Sequence, residues 1–132
     1  MAHVITFRSS MFNIAAETPN PINPIAGQSV LIWLREPLRK SGYQTTSPEA
    51  EDWGWYIDVT DGHASYLVGA SGDAADAAAL VEWTIQVVKH RSFIEKVTGA
   101  KRMAADDSLS AVIERTLRAE PEIGAVEVEK GA

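Results

Sequence analysis

The stretch from Glu51 to Ala70 constrains the fold more than any other part of this chain. At its centre lies the dipeptide Asp61-Gly62, which favours a two-residue type I′ β-turn because both central residues of that turn need a positive φ. We therefore predict a β-hairpin around this turn. Its predicted cross-strand pairs are Thr60 with His63, Val59 with Ala64, Asp58 with Ser65, Ile57 with Tyr66, Tyr56 with Leu67, and Trp55 with Val68.

This register gives the hairpin two very different faces, because successive side chains of a strand point to opposite sides. The predicted buried face carries Trp53, Trp55, Ile57, Val59, Tyr66 and Val68. On the opposite face, Tyr56 and Leu67 form a small apolar patch as cross-strand neighbours. Gly54 and Gly69 also fall opposite each other, and paired glycines leave a dimple into which another side chain can pack.

Composition excludes several classes of function. A chain of 132 residues fits one domain, so we predict a single domain over residues 1–132. The formal net charge of −6 argues against nucleic acid and anionic membrane surfaces as partners. No apolar segment has the roughly 20 residues that span a bilayer. The chain has no cysteine and no signal-like N-terminus, and we expect it in the cytoplasm.

The remaining elements follow from periodicity. Val4 to Arg8 predicts an opening strand near a sheet edge, and a proline-rich connection follows over residues 17–27, in which Ile22 and Ile25 are expected to attach the segment to the body of the fold. Residues 28–41 have apolar side chains at helical spacing. Pro37 lies inside that helix, so we predict a kink in preference to two abutting short helices.

The second half of the chain contributes further strands and a helix. Residues 81–88 alternate apolar and polar side chains as a half-buried strand does. A helical turn is expected over residues 92–97, and Asp106-Asp107-Ser108 offers N-caps for the next helix. Residues 123–130 predict a closing strand, whereas residues 70–79 fit either a loop or a helix. The predicted fold is α+β, a mainly antiparallel sheet of about five strands in the order β-α-β-β-β-α-α-β with helices packed on one face.

Three pieces of the sequence resemble a group of small bacterial proteins of unknown function. They are the acidic pair before Trp53-Gly54-Trp55-Tyr56, the strand from Trp83 to Val87 with the Lys89-His90-Arg91-Ser92 that follows it, and the terminal helix and strand. The resemblance implies a bacterial origin, a cytoplasmic α+β fold and a strand over Trp83–Val87. It implies no catalytic residue, and Pro37 departs from the continuous first helix of the group.

A catalytic set can be assembled on paper from Asp58, His63 and Ser65 near the hairpin turn. A carboxylate beside an imidazole and a hydroxyl is the arrangement of nucleophilic catalysis. These residues flank an exposed turn, where water screens charge and no wall forms a pocket, so we predict no catalytic residues. The acidic run from Glu49 to Asp52 is interpreted as a solvated loop, because it has neither the ligand spacing nor the turn glycine of a metal loop. No cofactor and no metal are expected.

Two functions from different classes fit the sequence. The first is a non-catalytic protein-interaction module, such as an inhibitor, an immunity-type protein or an accessory protein, that binds another protein or a second copy of itself as a homodimer. The second is a small ligand-binding domain or enzyme with a pocket near Trp53, Trp55 and His90. The predicted binding residues are Trp53, Trp55, Tyr56, Leu67, His90 and Arg91. The absence of a catalytic motif favours the first function.

Overall fold

The computed structural model describes residues 2–73, 81–90 and 107–130 and has an α+β fold with a seven-stranded antiparallel sheet. The fold class is confirmed, although the sheet has more strands than the five expected. Its elements are β1 (Ala2–Ser9), a 3-10 turn (Ile14–Ala16), α1 (Gln28–Lys40), β2 (Gln44–Thr45), β3 (Glu49–Glu51), β4 (Gly54–Thr60), β5 (Ser65–Asp73), β6 (Val81–Lys89), α2 (Ser108–Ala119) and β7 (Ile123–Lys130). The helical turn expected over residues 92–97 lies outside the described residues, as do residues 74–79.

The strands lie in the order β2-β4-β5-β6-β1-β7, and β3 continues the β2 edge by pairing with the other half of β4. β1 lies one strand in from the edge and pairs with β6 on one side and β7 on the other. Two short strands that run along β4 account for the larger number. The acidic run at Glu49–Glu51, which we interpreted as a loop, is one of them.

Both helices cover the same face of the sheet and form one core with it. The alternation in β4 and β6 puts side chains such as Ile57 and Ile85 on this face, where they are fully buried. The helices contribute Leu31, Leu34 and Ile113 at helical spacing, and these are fully buried too. Full burial of one such side chain stabilises the folded state by about 1.5–3 kcal/mol.

The hairpin between β4 and β5 exists, but its register differs from the prediction by two residues. Thr60 pairs with Ser65, Val59 with Tyr66, and Trp55 with Ala70. The turn therefore has four residues rather than two. Gly62 has the expected positive φ of 94°, but Asp61 is not in the positive-φ region, so the type I′ turn is wrong.

The side chain of Asp61 explains the longer turn. Its carboxylate accepts hydrogen bonds from the backbone N–H groups of His63 and Ala64, both at 2.8 Å. These two bonds lower the pKa of Asp61. An aspartate that bonds its own backbone two and three residues on replaces the strained two-residue turn with a wider one.

α1 runs from Gln28 to Lys40 as a single helix with Pro37 inside it, so the alternative of two abutting helices is wrong. Its N-terminus has an unusual cap. Gly27 occupies the N-cap position and offers no side-chain acceptor. The carboxylate of Glu17 takes that role and accepts the backbone N–H groups of Gly27, Gln28 and Ser29 at 3.1, 3.2 and 2.9 Å.

The proline-rich segment is attached by asparagine side chains, and of its two isoleucines Ile25 is half-buried. Ile22 is 55% exposed, which contradicts its expected role. The amide of Asn20 donates to the carbonyl oxygens of Glu51 and Gly54, at 3.0 and 2.9 Å. Asn23 donates to the carbonyl oxygen of Asp52 at 2.9 Å. The segment thus closes the turn between β3 and β4.

α2 begins where the sequence predicted. Asp107 is its N-cap, and the carboxylate accepts the backbone N–H groups of Leu109 and Ser110. β7 follows as predicted, with Val126 and Val128 half-buried and the glutamates between them exposed. The pairing of β7 with β1 shifts at Ala125, whose φ is 54°, and this marks a bulge in the edge strand.

Candidate functional site

The candidate site is the sheet face that points away from α1 and α2, called here the outer face. Two rungs of side chains cross its centre. In the first, Tyr56 lies opposite Gly69, and Gly69 lies opposite Gln86. In the second, Leu67 lies between Asp58 and Val88. The half-buried apolar side chains of this face are Val4, Trp53, Tyr56, Leu67 and Val88, called here the apolar stripe.

Trp53 joins this stripe because of the tight turn at Gly54, whose φ is 147°. Its indole ring lies on Gly69, so close that a Cβ at Gly69 would be 2.4 Å from the Cη2 atom of Trp53. The prediction that Trp53 lies on the buried face is therefore wrong. The predicted dimple does exist at Gly69, but the register leaves it opposite Tyr56 rather than Gly54, and a side chain of the same chain fills it.

Tyr56 anchors the stripe at the β3 edge. Its hydroxyl donates to the carboxylate of Glu49 at 2.7 Å. This hydrogen bond, together with the negative charge of Glu49, raises the pKa of Tyr56. Tyr56 and Leu67 are diagonal neighbours in the observed register rather than the directly opposed pair that we predicted. They still lie on the same face, because a two-residue shift preserves the side to which each residue points.

Carboxylates border the stripe. Among the side chains that the structure describes, the outer-face strand positions hold six carboxylates, namely Glu49, Glu51, Asp58, Glu82, Glu127 and Glu129. The described strand positions of this face hold one guanidinium, that of Arg8, and it forms a 3.5 Å ion pair with Glu82. The outer face is therefore strongly acidic around an aromatic and aliphatic centre.

A shallow cavity of about 340 Å³ lies at the hairpin-turn end of the sheet, and is called here the turn-end cavity. Its lining includes Asp58, Ser65 and His90. His63, which we had grouped with Asp58 and Ser65 on paper, is exposed in the turn and does not line this cavity. The backbone N–H of His90 donates to the carbonyl oxygen of Ser65 at 2.8 Å, so these two residues are cross-strand neighbours.

The order of these three groups does not suit a catalytic triad. Ser65 lies on β5, between Asp58 on β4 and His90 at the end of β6. Two strand spacings and an offset of two residues along the strands separate the backbones of Asp58 and His90, a distance of roughly 11–12 Å. A triad needs the imidazole between the carboxylate and the hydroxyl, so that the carboxylate can orient it. This arrangement can bind a polar group but does not activate Ser65.

A second cavity of about 440 Å³ lies on the helix side of β2, and is called here the helix-side cavity. Ile32, Arg35 and Tyr43 are among its lining residues. The Nε atom of Arg35 donates to the hydroxyl of Thr45 at 3.1 Å. Gln44 and Thr45 line both cavities, so β2 forms the wall between them.

A buried polar cluster joins α2 to the sheet beneath the turn-end cavity. The hydroxyl of Tyr66 donates to Asp107 at 2.9 Å, and the ammonium of Lys89 is 3.6 Å from the same carboxylate. Burial, and then the hydrogen bond to Asp107, raise the pKa of Tyr66. Asp107 caps α2 with its other oxygen, so this cluster holds the helix on the sheet.

The other predicted site residues have different positions. Trp55 is 5% exposed and belongs to the core, so it cannot contact a partner as the sequence had suggested. Arg91 lies outside the described residues. Val4 in the stripe, and Gln44 beside the cavities, were not among the predicted site residues. The pairing of β1 with β6 brings Val4 to this face, and no local pattern in the sequence reveals that contact.

The described parts of the chain contain no group of three or more potential metal ligands. Within the same residues, neither helix has the length and apolar character that a membrane crossing requires. No family model, no curated protein and no solved structure matches this chain. The resemblance to a group of small bacterial proteins therefore stays a prediction.

Proposed function

We propose that this protein is a protein-binding module whose outer face binds a partner with a basic surface. The observation that supports this function is the combination of the apolar stripe with its border of carboxylates. Tyrosine and tryptophan are enriched in protein interfaces, where their rings bury apolar area and keep one polar atom wet. Trp53 and Tyr56 lie side by side on this face, where the ring of Trp53 covers Gly69 opposite Tyr56, and both have this character.

The border determines the kind of partner. Six carboxylates against one paired arginine attract a surface rich in lysine or arginine, and such complementarity raises the association rate. Nucleic acid and anionic lipid are repelled by the same charges. A protein with an inhibitory or accessory role needs only such a surface and needs no catalytic geometry.

The same charges argue against a second copy of the chain as the partner. A twofold dimer places one patch against an identical patch, so the carboxylates of the two outer faces would oppose each other. Like charges across an interface cost several kcal/mol. We therefore favour a heterologous partner over the homodimer that the sequence also allowed.

The first test is the solution mass by light scattering at low and at high salt. We expect the mass of one chain, 14.3 kDa, under both conditions. A dimer that Tyr56→Glu dissociates would show that the outer face binds a second copy, and would overturn the choice of partner.

The second test compares proteins retained from extracts of the native host by immobilised wild type and by variants. Tyr56→Ala removes the ring at the centre of the stripe, and Glu127→Gln with Glu129→Gln neutralises part of the border. We expect Tyr56→Ala to reduce retention of a basic protein by roughly tenfold or more. The border variant should reduce the salt sensitivity of retention. The matched control, Glu114→Gln on α2, should retain it like wild type, and equal retention by all four proteins would refute the proposal.

A further inference from the structure

The two edges of the sheet differ in how they are protected. Natural sheets block edge-to-edge pairing with charged residues, prolines and bulges. β7 has both kinds of protection, because it carries the charged residues Glu127, Glu129 and Lys130 and has a bulge at Ala125. The β2 edge from Gln44 to Thr46 has no charge and no proline. β2 limits edge pairing only by its short length of two residues, so its outward backbone groups can pair with a short segment of another strand.

The backbone of β2 has groups that point away from β4 and have no hydrogen-bond partner among residues 2–73, 81–90 and 107–130. Thr46 donates its backbone N–H to the carbonyl oxygen of Asp58 at 3.0 Å, so this pair is hydrogen-bonded. Hydrogen-bonded and non-bonded pairs alternate along an antiparallel ladder, so the next pair, Thr45 with Val59, is non-bonded. The N–H and C=O groups of Thr45 therefore point away from β4. In the described part of the chain, β4 is the strand with which β2 pairs.

The two cavities lie on opposite sides of this edge. The side chains of an added strand would alternate between them, because successive residues of a strand point to opposite faces. The residue opposite Thr45 would point to the helix-side cavity, and its two neighbours would point to the turn-end cavity. Cavities of about 440 and 340 Å³ have room for such side chains.

The charges of the cavities differ in sign. In the helix-side cavity Arg39 is held by Glu36 through two hydrogen bonds, whereas Arg35 donates only its Nε atom, to Thr45, within the described residues. The other guanidinium nitrogens of Arg35 can bind a carboxylate. In the turn-end cavity the carboxylate of Asp58 has no hydrogen-bond partner among the described residues and can bind an ammonium group that reaches across Thr46.

We propose that the β2 edge binds an extended peptide by strand addition, with an acidic residue opposite Thr45 and a basic residue on each side of it. Backbone hydrogen bonds to Thr45 give the affinity, and the two cavities select the pattern of charges. The peptide site shares Asp58 with the carboxylate border but contains no residue of the apolar stripe, so peptide binding is measured separately from the proposed function.

The probe is a labelled peptide, acetyl-Thr-Val-Lys-Glu-Lys-Val-Thr-amide, and the measurement is fluorescence polarisation. The matched control is the same peptide with its central residues changed to Glu-Lys-Glu. We expect the Lys-Glu-Lys peptide to bind at least tenfold more tightly. Arg35→Gln and Asp58→Asn should each weaken its binding, whereas Glu114→Gln on α2 should leave it unchanged.

Two methylated peptides test strand addition directly, without any change to the protein. Methylation of the central glutamate nitrogen removes the N–H that bonds Thr45, and should weaken binding at least tenfold. The backbone nitrogen of each lysine lies on the outward edge of the added strand. Methylation of either nitrogen should therefore have little effect on binding. Equal binding of the two charge patterns, equal effects of the two methylations, or no binding at millimolar peptide would each overturn the proposal.

Discussion

Replacement of Glu17 by alanine tests whether a side chain eleven residues before the start of α1 caps that helix. The carboxylate accepts three backbone N–H groups at the helix start and also the hydroxyl of Ser29. Gly27 offers no side-chain substitute, and the first turn of α1 has no acidic residue. Glu17→Ala therefore leaves these backbone donors without a protein acceptor.

The expected loss follows from two contributions. Removal of an N-terminal cap costs about 1 kcal/mol, and the lost negative charge at a helix N-terminus costs about 0.3–1 kcal/mol more. We expect the free energy of unfolding to fall by about 1.3–2 kcal/mol. Glu17→Gln keeps an acceptor but loses the charge, so its loss should be smaller.

The assay is urea unfolding monitored by tryptophan fluorescence. The slope m, which relates the free energy of unfolding to urea concentration, is compared among variants. Glu36→Gln is the control, because Glu36 forms only an exposed pair with Arg39 on the surface of the same helix. The reasoning would be refuted if Glu17→Ala shifted the midpoint no further than Glu36→Gln. A lower midpoint with unchanged m would support a native-state cap.

Three further predictions concern the sheet. Trp55→Ala should lower the free energy of unfolding by about 3–5 kcal/mol, measured in the same urea assay, because Trp55 is 5% exposed in the core; an unchanged midpoint would contradict this. Gly69→Ala should displace the ring of Trp53, since a Cβ there would be 2.4 Å from it, and tryptophan emission should shift to the red; an unchanged spectrum would mean that the ring does not lie on Gly69. Burial and the bond to Asp107 raise the pKa of Tyr66 above its ordinary 10.0, so this stabilisation is complete below about pH 10 and is lost as the pH rises beyond it. Tyr66→Phe should show a shallower loss of stability above pH 10 than wild type, and parallel losses would exclude the role of this hydroxyl.

The sequence predicted which hairpin residues face the core but not which residues pair. The apolar face of Ile57, Val59, Tyr66 and Val68 is buried as expected, although every pair is shifted by two residues. Period-two alternation determines the face of a strand, whereas the turn determines the register. The side-chain hydrogen bonds of Asp61 select the wider turn, and the dipeptide rule does not include them.

Local signals predicted α2 well and the start of α1 poorly. Asp107 caps the helix that immediately follows it, so sequence proximity is enough to find it. Glu17 caps α1 from across a proline-rich loop, and this contact depends on the fold of that loop. The same limit applies to Trp53, because the turn at Gly54 sends its ring to the face opposite Trp55.

The outer face was predicted in part. Tyr56 and Leu67 follow from alternation within one hairpin. Val4 and the acidic border also depend on β1, β3, β6 and β7. The alternation within one strand does not predict the order of strands in the sheet, so these neighbours could not be predicted. β3 was also difficult to predict, because a strand of three residues has too few positions to show alternation.

The position of β1 has a consequence for how the chain folds as it is synthesised. β1 ends at Ser9, and its first partner, β6, begins at Val81. Both of its hydrogen-bonding edges therefore remain unpaired until most of the chain has left the ribosome. β4 and β5, by contrast, are adjacent in sequence and can pair at once. Loop closure over such a distance makes β1 docking slow compared with hairpin formation, so nascent chains that stop before β6 expose an apolar strand to which chaperones can bind.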